Sequence, residues 1–241
     1  MDKCPNALFI TDPANDVEII ENTKGRLLHG SGSWLQADST FNEWLDCRAS
    51  RVLWLNGDPG GGKTMLAISV LKSIKERIRA ISSGPSVLLS YFFCDNKDNR
   101  HNNTIAVLRG LIYRLVHARP DLSSQFRALL EREGDQLFSS SIALRLLWRI
   151  MKEFFASPSI QRVYIVIDAL DELDEESIDD FLKLLGPLLE LEERNSKNQT
   201  NLDETDNCEV KWFLTSRNVR SISAILCQTL NVSLEDNLNH V

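Results

Sequence analysis

Eight consecutive residues, Gly57-Asp58-Pro59-Gly60-Gly61-Gly62-Lys63-Thr64, constrain this chain more than any other part of it. They match the phosphate-loop pattern Gly-x4-Gly-Lys-Thr, known as Walker A. Its glycines let backbone N–H groups curl round an anion without side-chain clashes. The same pattern arises by accident in glycine-rich turns, so the flanking residues decide its meaning. Upstream, Arg51-Val52-Leu53-Trp54-Leu55 is a short apolar run ending at Asn56-Gly57, which reads as a buried strand. Downstream, Leu66, Val70, Ile74 and Ile78 recur every four residues and predict a helix over 64–80. Strand, loop and helix in that order are what the motif needs, because the helix then aims its positive end at the anion. Residues Gly57 to Met65 are the candidate nucleotide-binding set. Within it, Lys63 is placed to reach the β- and γ-phosphates, and the Thr64 hydroxyl to bind Mg²⁺.

The rest of the chain alternates in the same way. Apolar runs predict strands at Val87–Phe93, Val163–Ile167 and Lys211–Thr215, with a last edge strand at Leu230–Leu234. The run Val163-Tyr164-Ile165-Val166-Ile167 is continuous rather than alternating, which suits a parallel strand covered on both faces. Helices are expected at about 104–117, 121–133, 141–156, 175–191 and 219–227. Residues 192–209 are polar and acidic with no apolar periodicity, and read as a mobile insertion. Residues 1–50 carry turn signals at Asp12-Pro13 and Gly30-Ser31-Gly32. They then carry short amphipathic helices marked by Trp34, Leu35, Phe41, Trp44 and Leu45. They are expected to form a segment leading into a core at 51–241. The expected fold is a P-loop NTPase three-layer α/β sandwich around a mainly parallel sheet, with its ligand at the carboxyl ends of the strands.

Two further candidate sites each follow a predicted strand. Asp168-Ala169-Leu170-Asp171-Glu172 looks like Walker B, with Asp168 at the strand tip to hold Mg²⁺ through water. A second acidic residue would orient the attacking water. In many P-loop ATPases a Glu directly follows the metal-holding Asp. Ala169 stands there in this chain, so the role falls to Asp171 or Glu172, which the sequence does not rank. The plainer reading makes both of them an acidic helix start. In Leu214-Thr215-Ser216-Arg217, Arg217 is a candidate γ-phosphate contact; the plainer reading is a surface salt bridge. The tryptophans Trp44, Trp54, Trp148 and Trp212 sit in apolar patterns and read as core. Trp34 is held open as a residue that helps enclose the base.

Composition narrows the class. The 241 residues are 43% hydrophobic and 25% charged, and they carry a net charge of −7. One large packed domain is expected, and a protein that grips nucleic acid through its phosphates is disfavoured. Five cysteines, an odd number without CxxC spacing, favour reduced thiols and a cytoplasmic setting over a disulfide framework or metal site. No apolar run reaches the roughly 18 residues of a membrane helix, and no Ser-His-Asp set is visible.

The motifs together resemble the NACHT NTPase domain of the STAND class, in the form found in fungal NOD-like receptors and heterokaryon-incompatibility proteins. The similarity runs through Thr11-Asp12-Pro13, Lys24-Gly25-Arg26-Leu27-Leu28, Leu53-Trp54-Leu55-Asn56 with the phosphate loop, and Tyr91-Phe92-Phe93-Cys94. It continues in Leu108-Arg109-Gly110-Leu111-Ile112, Asp168-Ala169-Leu170-Asp171-Glu172 and Leu214-Thr215-Ser216-Arg217, in family order. The resemblance implies a signalling switch. Diphosphate holds such a protein off, triphosphate opens it to oligomerise with itself or engage effector and sensor partners, and slow hydrolysis resets it. Its output in such proteins is non-self recognition or programmed cell death. The nucleotide is ATP/ADP or GTP/GDP: ATP is the general expectation, GTP is associated with some fungal relatives, and no Asn-Lys-x-Asp signature forces guanine. Sizeable effector, helical, winged-helix and sensor-repeat parts are not expected within these residues. The alternative function is an assembly module that nucleotide stabilises without significant turnover.

Overall fold

The computed structural model describes residues 8–11, 13–24, 32–49, 51–80, 86–123, 138, 142–197 and 208–240. Among them, five strands form one sheet: β1 (Arg51–Asn56), β2 (Val87–Phe93), β3 (Arg162–Asp168), β4 (Glu209–Ser216) and β5 (Leu230–Ser233). Their order is β2-β3-β4-β1-β5 and every pairing is parallel. The helices are α1 (Pro13–Lys24), α2 (Ser33–Ala37), α3 (Ser39–Asp46), α4 (Lys63–Ala80), α5 (Thr104–Ala118), α6 (Ala143–Phe155), α7 (Glu175–Lys197) and α8 (Arg220–Leu226).

Strand periodicity explains the three layers. Successive residues point to opposite faces, and both faces of the central strands are apolar. Val52 and Trp54 of β1, Val163, Ile165 and Ile167 of β3, and Val210, Trp212 and Leu214 of β4 pack with α5, α6, α7 and α8. The alternate residues Leu53, Leu55, Tyr164, Val166 and Phe213 pack with α2, α3 and α4. Trp44, Trp54 and Trp212 are buried, and Trp148 packs on the first of these cores. Trp34 is half-buried against the second.

Local chemistry sets several boundaries. Asp38 caps α3 by accepting from the N–H groups of Thr40 and Phe41 at 2.8 and 2.9 Å, and Asn103 caps α5 by accepting from Ala106 N at 2.9 Å. Asp12-Pro13 suggests a turn, whereas the helix α1 begins at Pro13. Proline tolerates the first helical position because its missing N–H has no intrahelical partner there. The apolar stripe of α7 ends near 191, whereas its backbone stays helical to Lys197. Of the rest of the insertion expected at 192–209, residues 198–207 lie outside the described residues, and Glu209 already belongs to β4. Residues 124–133 of the helix expected at 121–133 lie outside the described residues too, and its first residues fall in a 3-10 turn at Pro120–Ser123.

The end of the sheet away from the loops is closed by fixed polar contacts. Lys211 of β4 is fully buried, and its Nζ donates to the carbonyls of Cys47 at 2.5 Å and Ala49 at 2.7 Å. Burial drives the lysine down to about 8. Beside it, Arg162 Nε donates to Glu209 Oε2 at 2.6 Å.

Candidate functional site

The opposite end of the sheet carries every candidate residue. Parallel pairing sets Asn56 of β1 beside Ser216 of β4, and Ile167 of β3 beside Leu214 of β4. Three strand tips therefore stand in a row, each followed by one of the three motifs.

The phosphate loop leaves β1 at Gly57 and enters α4 at Lys63. Gly60 and Gly62 have φ of +81° and +85°, which side chains beyond glycine rarely adopt. Gly57 is constrained differently: a Cβ there would lie 2.7 Å from Leu234 Cβ. Asp58, Pro59, Gly60, Gly61 and Gly62 are exposed, while Lys63, Thr64 and Met65 are half-buried at the start of α4. Lys63 Nζ folds back onto the loop and donates to the carbonyls of Gly57 at 2.6 Å and Asp58 at 2.8 Å. Burial lowers the lysine from its ordinary value, and the nearby charges of Asp171, Asp168 and Glu235 oppose that shift.

At the β3 tip Asp168 is buried, and its Oδ1 accepts from Thr215 Oγ1 at 2.6 Å. The same hydroxyl oxygen accepts from Ala169 N at 2.9 Å. Ala169 is left-handed, with φ of 56°, and opens a 3-10 turn over Leu170–Glu172. A non-glycine residue in that region is strained. The turn sends the two following carboxylates apart. Asp171 accepts from the Arg217 N–H at 2.8 Å and from Arg217 Nε at 2.5 Å. Glu172 instead accepts one bond, from Asn96 N at 3.2 Å. Burial raises the Glu172 carboxyl above its ordinary value, against the Asn96 bond and with help from Asp171, Asp95 and Asp168.

The structure thus brings Lys63 close enough to Asp168 and Asp171 to feel both charges, and puts Arg217 at the rim of that group. The Arg217 side chain is 45% exposed and paired with Asp171, as the salt-bridge reading anticipates. Its guanidinium is raised by that hydrogen bond. Thr64 stands beside Lys63 in the first turn of α4.

Three participants carry no motif of their own. Thr215 is signalled only by register, since it follows Leu214, the partner of Ile167. Asn96 lay in a polar loop with no pattern of its own. Glu235 accepts from Asp58 N at 2.6 Å and from Ser233 Oγ at 2.9 Å. It is far from the loop in sequence, and nothing local announced it.

No group of His, Cys, Asp or Glu among the described residues is placed to hold a metal by itself. Cys47, Cys94, Cys208 and Cys227 are free thiols. No helix among the described residues is long and apolar enough to cross a membrane.

Known proteins are similar to this chain to different degrees. Residues 30–217 match the family described as Nephrocystin 3, N-terminal. Vegetative incompatibility protein HET-E-1 of Podospora anserina is 37% identical over 243 residues, covering 100% of this chain and 16% of that protein. The chain therefore spans a small part of the curated relative's length. Among solved structures, the ADP form of the Aeropyrum pernix ORC2 protein aligns over 85% of this chain and 47% of its own, at 15% identity and a TM-score of 0.41. Its ADPNP–ADP complexes align over 86% and 48%, at 16% identity and a TM-score of 0.40. Those scores describe a partial overlap of architecture and nothing more. The matched stretch contains the phosphate loop, the Asp168 turn and Arg217, and the chain belongs to the Nephrocystin 3, N-terminal family, as a NACHT-type P-loop module of the kind found in heterokaryon-incompatibility proteins.

Proposed function

We propose that the strand-tip site binds a nucleoside triphosphate with Mg²⁺ and hydrolyses it slowly, so that the module works as a switch. The observation that carries this reading is the joint placement of an exposed, glycine-shaped loop, the Lys63 ammonium and the Asp168 carboxylate at adjacent strand tips.

The residues fit such a ligand. A Cβ at Gly60 or Gly62 would meet nothing within 4 Å, so no other part of the described chain crowds the loop at those two glycines. Bound Mg²⁺ would neutralise phosphate charge, with Asp168 and Thr64 as its protein holders. Thr215 fixes the rotamer of Asp168 by donating to Oδ1. Lys63 is already held at the loop by two carbonyls, and its ammonium would balance charge that develops on the transferred phosphoryl group.

The two carboxylates that follow take different parts. Asp171 is occupied by two donors from Arg217 and anchors that arginine at the rim. Glu172 has a single long bond and a raised pKa, which suits a group that orients water. The phosphate loop reads phosphates and not the base, so the proposal covers ATP and GTP alike. The likeness to a vegetative incompatibility protein supports a part in fungal non-self recognition or programmed cell death, acting through self-association or an effector or sensor partner.

Two measurements on the purified chain test this. Mass spectrometry of copurifying nucleotide is expected to find a nucleoside di- or triphosphate, and phosphate release is expected to be slow and Mg²⁺-dependent. Bound nucleotide without phosphate release would favour the assembly-module reading. Absence of nucleotide binding at any concentration would overturn both.

A further inference from the structure

The peptide joining Gly57 to Asp58 is gripped from both sides. Its carbonyl, that of Gly57, accepts from Lys63 Nζ at 2.6 Å. Its N–H, that of Asp58, donates to Glu235 Oε1 at 2.6 Å. In a trans peptide these two groups point in opposite directions, so Lys63 and Glu235 fix the orientation of one peptide plane. Glu235 is itself steadied by Ser233, whose hydroxyl donates to Oε2 at 2.9 Å. Burial would raise the Glu235 carboxyl, but the bonds from Asp58 N–H and Ser233 and the nearby Lys63 prevail and hold it below its ordinary value.

The residue before it completes the grip. Leu234 N donates to Asn56 O at 2.9 Å, which continues the β5 edge one residue past the strand. The Leu234 side chain then lies under the loop. It meets the positions a Cβ would take at Gly57 and Gly61, at 2.7 and 3.2 Å. The phosphate loop thus rests on a side chain and a carboxylate supplied from the far end of the chain.

We infer that Glu235, seated by Leu234 and Ser233, is a positioning residue for the phosphate loop: it holds the Gly57–Asp58 peptide in the orientation that keeps Lys63 aimed and so preorganises the loop for the phosphates. This rests on the nucleotide-binding reading of the loop. A loop ordered before the ligand arrives loses less conformational freedom on binding. The role belongs to the acceptor oxygens, since it is the Asp58 N–H that needs a partner. The negative charge works against it by repelling phosphate. Glutamine, which keeps an acceptor and drops the charge, is therefore the conservative replacement.

The experiment titrates a fluorescent non-hydrolysable nucleoside triphosphate with Mg²⁺ against the full chain and against Glu235→Ala, Glu235→Gln and Lys63→Ala. Thermal unfolding without nucleotide is recorded for each. Glu235→Ala is expected to bind about fivefold to tenfold more weakly, the net scale of one ordinary hydrogen bond. Glu235→Gln is expected to bind as tightly as the unaltered chain or more tightly, and both variants to unfold at the unaltered temperature. Glu235→Ala binding like the unaltered chain, while Lys63→Ala does not bind, overturns the positioning role and leaves the site intact. Equal weakening in the Gln and Ala variants also overturns it, because the acceptor would then be irrelevant. Lys63→Ala binding normally would instead overturn the underlying reading of the loop.

Discussion

The two ends of the sheet hold charged residues in opposite ways. At the end where the strands begin, Lys211 is fully buried against the Cys47 and Ala49 carbonyls, and Arg162 is paired with Glu209 of the neighbouring strand. Each charge there is matched by protein. At the end where the strands stop, Lys63 is half-buried beside an exposed loop, and Glu172 keeps one bond of 3.2 Å. Both lysines donate to two carbonyls, but Lys211 is sealed inside the fold and ties elements together, whereas Lys63 holds only its own loop and stays half-exposed. The contrast teaches that burial of a charge alone does not mark function, since Lys211 is more buried than Lys63 and has the larger shift.

Swapping losses between the two ends is the most direct way to break this comparison. Lys63→Ala is expected to weaken triphosphate binding by about 100-fold or more, because a charge-assisted contact to phosphate is lost. Its unfolding temperature should stay unchanged. A nucleotide titration beside a thermal melt checks both, and a destabilised variant that still binds would erase the distinction.

The opposite pattern is expected at the other end. Lys211→Ala should destabilise the fold by about 3 kcal/mol, since the Cys47 and Ala49 carbonyls lose their donor and a fully buried side chain is removed. Urea unfolding measures it. Nucleotide affinity of the folded fraction should not move.

Within the strand-tip end, the divided roles of Asp171 and Glu172 can be sharpened by turnover. Glu172→Gln is expected to bind triphosphate normally and hydrolyse it about tenfold more slowly or worse. Asp171→Asn should affect turnover less and loosen Arg217. The reverse ranking would move the water-orienting role to Asp171. In the unaltered chain, hydrolysis should fall on acidification with an inflection above the ordinary glutamate value of 4.5, because the Glu172 carboxyl is raised and must be ionised to work. That inflection should vanish in Glu172→Gln.

The smallest effect concerns stability against pH. The folded Lys211 has a value of about 8 against an ordinary 10.5. Between those values the unfolded chain holds a proton that the folded chain has released, so stability should rise with pH across that window. Below it Lys211 is charged in both states, and its burial cost is fully present. Lys211→Met should flatten the slope. A slope unchanged by that substitution would show that Lys211 is not the group responsible.

Much of this was legible from local pattern. Short apolar runs marked β1 to β4, and the alternating Leu230–Leu234 marked β5, to within two residues of their ends, because runs this short and rich in β-branched and aromatic residues suit a strand better than a helix. The exceptions have physical causes. The α1 helix hides behind a proline that reads as a turn, and α7 outlasts its apolar stripe because a helix can continue on polar residues once nucleated. Asp168, Asp171, Glu172 and Arg217 could be nominated because each follows a strand, and ligands of parallel sheets gather at those ends.

By itself, the sequence determined that a glycine-rich loop joins a buried strand to a helix, and that three motifs follow three strand tips. Local spacing suffices for this, since loop geometry and strand ends are properties of neighbouring residues. Tertiary structure alone decided the strand order that sets Asn56, Ser216 and Asp168 side by side, and with it the bond from Thr215 to Asp168. It alone separated Asp171 from Glu172, through the left-handed turn at Ala169 and the partners waiting just after β4 and just after β2. It also brought Leu234 and Glu235 beneath a loop some 177 positions away in the chain. Hydrogen bonds act over ångströms, whereas sequence separation says nothing of distance until the sheet has closed.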